Sequence, residues 1–234
     1  MIPSPSPTKE IINLIPLLAE LSDQNKELLQ NALTVKQVRK GTILFIENDP
    51  ADAIYFLREG KVRLSKSTPD GKEIILNIRK PGDLFAEAAL FRKTTYPATA
   101  EMLEDGEVVM IRNEDLEKII HRYPEIGISV IQIMGQRLHV AQTILRDVAL
   151  YGKFGALASA LIRLAEDYGM QTKDGIKIQL SLTHQELANF IGAARENVNR
   201  MMSQLEKNGI LTMKRGKICI KNLEELKSYI NTKD

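Results

Sequence analysis

A chain of 234 residues, 44% hydrophobic but without Trp and only 5% aromatic, is long enough for two domains with aliphatic cores. Its net charge of +2 is unevenly divided: residues 150–234 hold 13 Lys/Arg against 9 Asp/Glu, net +4, and residues 1–149 hold the other 19 against 21, net −2, so the C-terminal part suits a polyanionic partner. The single cysteine, Cys219, excludes an internal disulfide and points to a reducing compartment, and no apolar run approaches the ~18 residues of a membrane span; a soluble, cytoplasmic protein with no membrane partner is expected.

Residues 1–8 open with Met-Ile-Pro-Ser-Pro-Ser-Pro, which lacks the basic start and apolar core of a secretion signal and reads as a disordered tail. Residues 9–34 have a helical pattern that ends near a strand at Val35–Val38. From there to Ile111 the chain breaks into short alternating runs, with Gly41, Gly60, Gly71 and Gly82 at strand boundaries and Asp70-Gly71 as a hairpin turn. Val62 and Leu64 alternate with polar residues, and Ile74, Leu76 and Ile78 are expected on one face of the next strand. Many short strands at this spacing indicate an antiparallel jelly roll. Helix returns at Glu114 and continues, with a break near Pro124, to about Ala149. Within it Ile131, Met134, Leu138, Ala141, Leu145 and Val148 recur at intervals of 3 and 4, the a/d seam of a coiled coil. A second stripe of Val130, Ile133, Val140 and Ile144 lies beside it. One stripe can pack on the β-domain while the seam pairs with a second copy of the chain.

A further helix, Lys153–Tyr168, is closed by Gly169 at the cap position, and Asp174-Gly175 turns a hairpin between Met170–Lys173 and Ile176–Leu180. The stretch Leu182–Glu206 is two helical patterns joined by a turn at Gly192. Thr183 followed by Glu186 forms a capping box. On the second helix Val198, Met201, Met202 and Leu205 share one face, while Arg195, Glu196, Asn199, Arg200 and Ser203 occupy the other. Such a helix can enter a major groove, where Arg pairs with guanine and Glu accepts from cytosine. Ile210–Met213 and Ile218–Ile220 read as strands flanking the loop Lys214-Arg215-Gly216-Lys217. A cationic hairpin tip after a recognition helix is a winged helix-turn-helix, with the wing on phosphates. Arg195, Glu196, Asn199 and Arg200 are therefore the candidate base readers. Thr183, His184, Ser203, Lys214, Arg215 and Lys217 are the candidate backbone contacts. A last helix starts at Asn222 and runs through Leu223, Leu226 and Ile230.

The order of jelly roll, long helix and winged helix-turn-helix resembles the Crp/Fnr superfamily of bacterial transcription regulators. Gly152-Lys-Phe-Gly-Ala156 and Ala193-Ala-Arg-Glu-Asn-Val-Asn-Arg200 are similar to the Fnr-type branch of Gram-positive bacteria. The resemblance implies an α+β protein: a cyclic-nucleotide-binding-like β-domain over 9–124, a dimerisation helix over 125–149 and a winged helix-turn-helix over 150–234. It also implies double-stranded DNA, a second copy and RNA polymerase as partners. Arg195, Glu196 and Arg200 match the Arg-Glu-x-x-x-Arg core that reads a TGTGA half-site in the cyclic-AMP-responsive members. Members that read TTGAT typically lack that first Arg and carry Ser where this chain has Asn199. The effector pocket departs from the family pattern. The run Ala86-Glu87-Ala88, then Tyr96-Pro97, keeps Glu87 but replaces the phosphate-binding Arg-Ser pair, so cyclic nucleotides are not expected. The oxygen-sensing members hold an iron–sulfur cluster through several cysteines, a cluster this chain lacks. Cys219, between Ile218 and Ile220, reads as a small packing residue.

His121, His139 and His184 lie in three elements at no metal-ligand spacing, and no nucleophile motif or phosphate loop is present. A cupin-type metalloenzyme needs histidines in the β-domain, and residues 35–111 contain none. The expected protein is a non-enzymatic, homodimeric, sequence-specific regulator with no cofactor and an effector of unknown kind. The competing reading is a ligand-sensing regulator whose helix-turn-helix mediates protein contacts.

Overall fold

In the computed structural model, residues 32–90 and 95–230 are described. The expected tail and nearly all of the helix over 9–34 lie outside them. The chain forms two compact units, one from residues up to Thr68 with Leu76–Arg137, the other from Pro69–Ile75 with Leu138 onward.

Among the described residues the first unit is built from eight strands, the first three residues of β5 excepted: β1 Leu33–Val38, β2 Ile43–Phe45, β3 Ala53–Glu59, β4 Val62–Ser67, β5 Glu73–Arg79, β6 Leu84–Phe85, β7 Thr99–Met102 and β8 Gly106–Arg112. They form two antiparallel sheets, ordered β1-β8-β3-β6 and β2-β7-β4-β5, the jelly-roll arrangement expected from the turn spacing. β1 starts two residues before the expected Val35, because Leu33 continues the alternation of buried and exposed side chains and pairs with Ile111. In β5 the expected face is wrong. Ile75 and Ile78 are buried while Ile74 and Leu76 are exposed. Buried positions three apart cannot share one face of a regular strand, so the apolar run offered no single alternation to follow.

Helix α1, Asn113–Arg122, and helix α2, Pro124–Tyr168, follow. Leu116 of α1 and Ile126 and Val130 of α2 are buried with Leu33, Val35, Ile54, Phe56, Val109 and Ile111 of the first sheet. Each such side chain contributes roughly 1.5–3 kcal/mol by leaving water. Of the second stripe, Val130 and Ile133 thus pack on the sheet as expected. α2 holds both expected helices, the one to about Ala149, extended by Leu150-Tyr151 where nothing breaks a helix, and the one over Lys153–Tyr168. It is interrupted only at Gly152, whose φ of 60° and ψ of −157° belong to a region that glycine alone enters freely. An 18-residue window of α2 reaches a mean hydropathy of 1.4, more apolar than the sequence reading allowed, and 56% of it is buried in the protein.

The second unit continues from α2 with β9 Gly169–Thr172, β10 Gly175–Ser181, α3 His184–Ile191, α4 Arg195–Lys207, β11 Leu211–Lys214, β12 Lys217–Ile220 and α5 Leu223–Lys227. The strands form one sheet ordered β11-β12-β10-β9. Gly169 is not a left-handed cap. It starts β9, where a Cβ would overlap the Ala165 carbonyl and the Ile176 side chain. The wing is tighter than expected: Lys214 and Lys217 pair within the strands, and only Arg215 and Gly216, with φ of 50° and 77°, make the turn. Positive φ at both central residues matches the right-handed twist of a two-residue hairpin. α5 ends at Lys227, short of Ile230, and is capped by the Asn222 side chain, which accepts from Glu225 N at 3.1 Å.

Candidate nucleic-acid interface

The start of α3 is held by the expected capping box: Thr183 Oγ1 accepts from Glu186 N at 3.2 Å, and Thr183 N donates to Glu186 Oε2 at 2.7 Å. Its end is closed by Gly192 in the left-handed region, φ 56°, with its N–H on Ala188 O. A three-residue turn then delivers Arg195 as the first residue of α4. Val198, Met202 and Leu205 bury one face of α4 completely, with Met201 half-buried at its border. The packing fixes the opposite arc outward. Arg195, Glu196, Asn199, Arg200 and Ser203 are all exposed. Asn197, absent from the candidates, accepts from the Arg200 guanidinium through its side-chain oxygen. That i, i+3 spacing was visible in the sequence.

The wing is fastened to both helices of the motif. Leu182 N donates to Gly216 O at 2.9 Å, just before α3, and Met213 N donates to the Glu206 carboxylate at 2.7 Å, near the end of α4. Lys214, Arg215 and Lys217 are exposed, as is Thr183, whose hydroxyl is engaged in the capping box, while His184 is half-buried at the first turn of α3. An exposed helical arc of two guanidiniums, a carboxylate and an amide, with an anchored cationic hairpin in the same compact unit, has the chemistry to meet base edges and phosphates. Cys219 is half-buried in β12, its Sγ 3.7 Å from Asp174 O.

In the first unit, Glu87 and Tyr96 of the expected effector pocket are already engaged. Glu87 is buried in a short 3-10 turn over Glu87–Ala89 and ion-pairs with Arg137 of α2, which also donates to Leu84 O. Ala86, just before this turn, has a left-handed φ of 68°. Tyr96 is buried and stacks on Phe45 at 4.0 Å between centroids, within a cluster that includes Tyr55 and Phe85. Its hydroxyl lies 3.1 Å from both Asp52 Oδ1 and Ala53 O and accepts from Ala53 N at 3.3 Å. Pro97 is exposed. Among the described residues, no group of three or more His, Cys, Asp or Glu could hold a metal ion.

Residues 35–123 match the cyclic nucleotide-binding domain, and residues 155–229 match the Crp-like helix-turn-helix domain. The anaerobic regulatory protein of Bacillus subtilis is 38% identical over 90% of this chain and 89% of its own length. The chain belongs to the Crp/Fnr family. The CRP-like cAMP-activated global transcriptional regulator of Mycobacterium tuberculosis is 28% identical over 80% of this chain and 84% of its own. A CooA mutant from Carboxydothermus hydrogenoformans superposes with a TM-score of 0.75 at 25% identity, covering 94% of this chain and 96% of its own. As a Crp/Fnr protein the chain is a transcription regulator with a DNA-binding helix-turn-helix. In this Crp/Fnr regulator α4 brings the candidate base readers onto one arc and the wing brings its three cations to one hairpin. Glu87, Tyr96 and Pro97 are divided between an ion pair, a core and the surface.

Proposed function

We propose that this Crp/Fnr regulator acts as a cytoplasmic homodimer on a TGTGA-N6-TCACA-type palindrome, and from there on RNA polymerase. The observation that carries the reading is the exposed arc of Arg195, Glu196, Asn199 and Arg200 on a helix whose other face is buried. Arg195 and Arg200 each pair with a guanine, and Glu196 accepts from the cytosine opposite one of them. Thr183, His184 and Ser203 join Lys214, Arg215 and Lys217 on the backbone, which sets register without reading sequence. The seam supports the dimer: Ile131 is 64% exposed, Leu138 61% and Leu145 69%, large apolar side chains on one stripe of α2 that a second copy would cover. No enzymatic step is assigned. The effector is neither a cyclic nucleotide nor a cysteine-ligated cluster. Tyr96 serves the core where the family places its phosphate-binding Arg, and the chain has one cysteine.

Binding of Arg200→Ala and Arg215→Ala to the palindrome and to a scrambled duplex, across a salt series, tests the assignment. Losing a bidentate base contact costs ~1–3 kcal/mol of discrimination, so a dimer that makes it twice loses ~2–6 kcal/mol. Arg200→Ala should erode the preference for the palindrome. Arg215→Ala should weaken both duplexes alike and flatten the salt dependence. The assignment fails if Arg200→Ala weakens both equally while Arg215→Ala erases their difference. If the native protein shows no sequence-specific, salt-dependent binding, the helix-turn-helix serves protein contacts instead.

A further inference from the structure

Lys153 follows the break at Gly152 directly and so stands in the first turn of the resumed helix. A cation there opposes that helix's own dipole, whose positive end lies at its start. The side chain finds its partner elsewhere. Its ammonium donates to Gly192 O at 2.9 Å and to Ile191 O at 3.2 Å. These carbonyls close the last turn and the left-handed cap of α3, the end where carbonyls outnumber donors and negative partial charge gathers. The contact therefore sits on the turn that aims α4. Otherwise backbone bonds close that turn, Ala193 N donating to Ala188 O and Asn197 N to Ala194 O at 3.0 Å each, while Ala194, the N-cap of α4, makes no side-chain capping bond. The next residue, Phe154, packs its ring on Tyr229 at 4.8 Å, so the segment carrying Lys153 is anchored in the same unit.

We propose that Lys153 is a positioning residue for DNA reading, holding the turn at Ile191-Gly192 so that Arg195, Glu196 and Arg200 meet the bases, without touching DNA itself. The proposal rests on the reading of α4 as the base-reading helix. Positioning matters to specific binding alone. A loosened turn leaves the wing free to bind any phosphate backbone, but a specific complex must first immobilise α4.

The test compares Lys153→Met, Lys153→Gln and Lys153→Arg in the full-length protein on the palindrome and the scrambled duplex across a salt series. Met keeps the stem and loses every donor, Gln keeps two donors on a stem one atom shorter, and Arg can serve both carbonyls. We expect about tenfold weaker palindrome binding for Met, a change of ~1.4 kcal/mol. Gln should fall between Met and Arg, Arg should stay near the native affinity, and scrambled binding should be unchanged. The slope of log affinity against log salt should stay constant. In the free protein, Lys153→Met should speed hydrogen exchange at the Ala193 and Asn197 amides while the strands β10 and β12 keep their protection. If Met weakens both duplexes and lowers the slope by about two, one phosphate per copy in the dimer, Lys153 contacts DNA directly and the proposal is overturned. Native affinity together with native exchange in Lys153→Met overturns it as well. An Arg200→Ala control that keeps full preference for the palindrome would instead refute the reading of α4.

Discussion

Burial pushes the Tyr96 phenol well above its ordinary value of 10.0, with the neighbouring Tyr55 hydroxyl adding to the shift, and burial moves Tyr55 in the same direction. A phenol that must stay neutral in the folded chain stabilises it fully below the unfolded value near 10. That contribution is lost as pH climbs from there towards the folded value, because the unfolded chain gives up its proton first. The first unit should therefore weaken steeply above about pH 10. A Tyr96→Phe variant keeps the stack on Phe45 and has no proton to lose. At pH 8 it should cost about 1 kcal/mol, the net worth of a hydrogen-bonded hydroxyl, and above pH 10 it should lose less stability than the native chain. Denaturant unfolding at pH 8 and pH 10.8 compares the two, since titrating groups other than the adjoining Tyr55 cancel between them. Equal alkaline losses would show that Tyr96 is not their source.

Among the elements, α2 makes two demands on one helix, and both could be read from its spacing. Intervals of 3 and 4 define stripes whatever they pack against, so Val130 and Ile133 on the sheet and Leu138 and Leu145 in the open follow from one periodicity. Replacing Leu138 and Leu145 with Asp would place four carboxylates in each dimer's apolar seam, where unpaired charge is strongly unfavourable. Sedimentation should show monomers at concentrations where the native chain is dimeric; an unchanged dimer would mean the seam lies elsewhere. The two faces of α4 were legible for the same reason as those of α2, and the capping box and Gly192 cap of α3 are local signals that tertiary contacts did not override. β5 was not legible, since Ile74, Ile75, Leu76 and Ile78 put apolar residues on both faces. Nor were the engagements of Arg137 and Lys153. Their carbonyl partners lie 53 and 38 or more residues away in the chain, and no local pattern carries a contact at that range.

For the molecule as a whole, the division of charge and the state of the effector-type pocket bear on what controls DNA binding. The net +4 of residues 150–234 is modest, and phosphate attraction carries no sequence information, so under the proposed reading selection falls to the arc on α4. In the first unit, a cyclic nucleotide would have to displace Arg137 from Glu87 and find a phosphate partner where Tyr96 is committed to Phe45, Asp52 and Ala53. Breaking a buried ion pair without replacing it is costly, and the stacked ring has no cation to offer. Cyclic AMP and cyclic GMP at millimolar concentration should leave both melting temperature and palindrome affinity unchanged. A ligand at 100 times its dissociation constant stabilises by ~2.7 kcal/mol, which for a chain of this size raises the melting temperature by about 5–10 °C. A shift of that size, accompanied by a change in DNA affinity, would mean that Arg137 releases Glu87 to the ligand and that the pocket is intact despite Tyr96 and Pro97. Its absence, with native binding to the palindrome, places control in the abundance of the protein or in an effector of other chemistry.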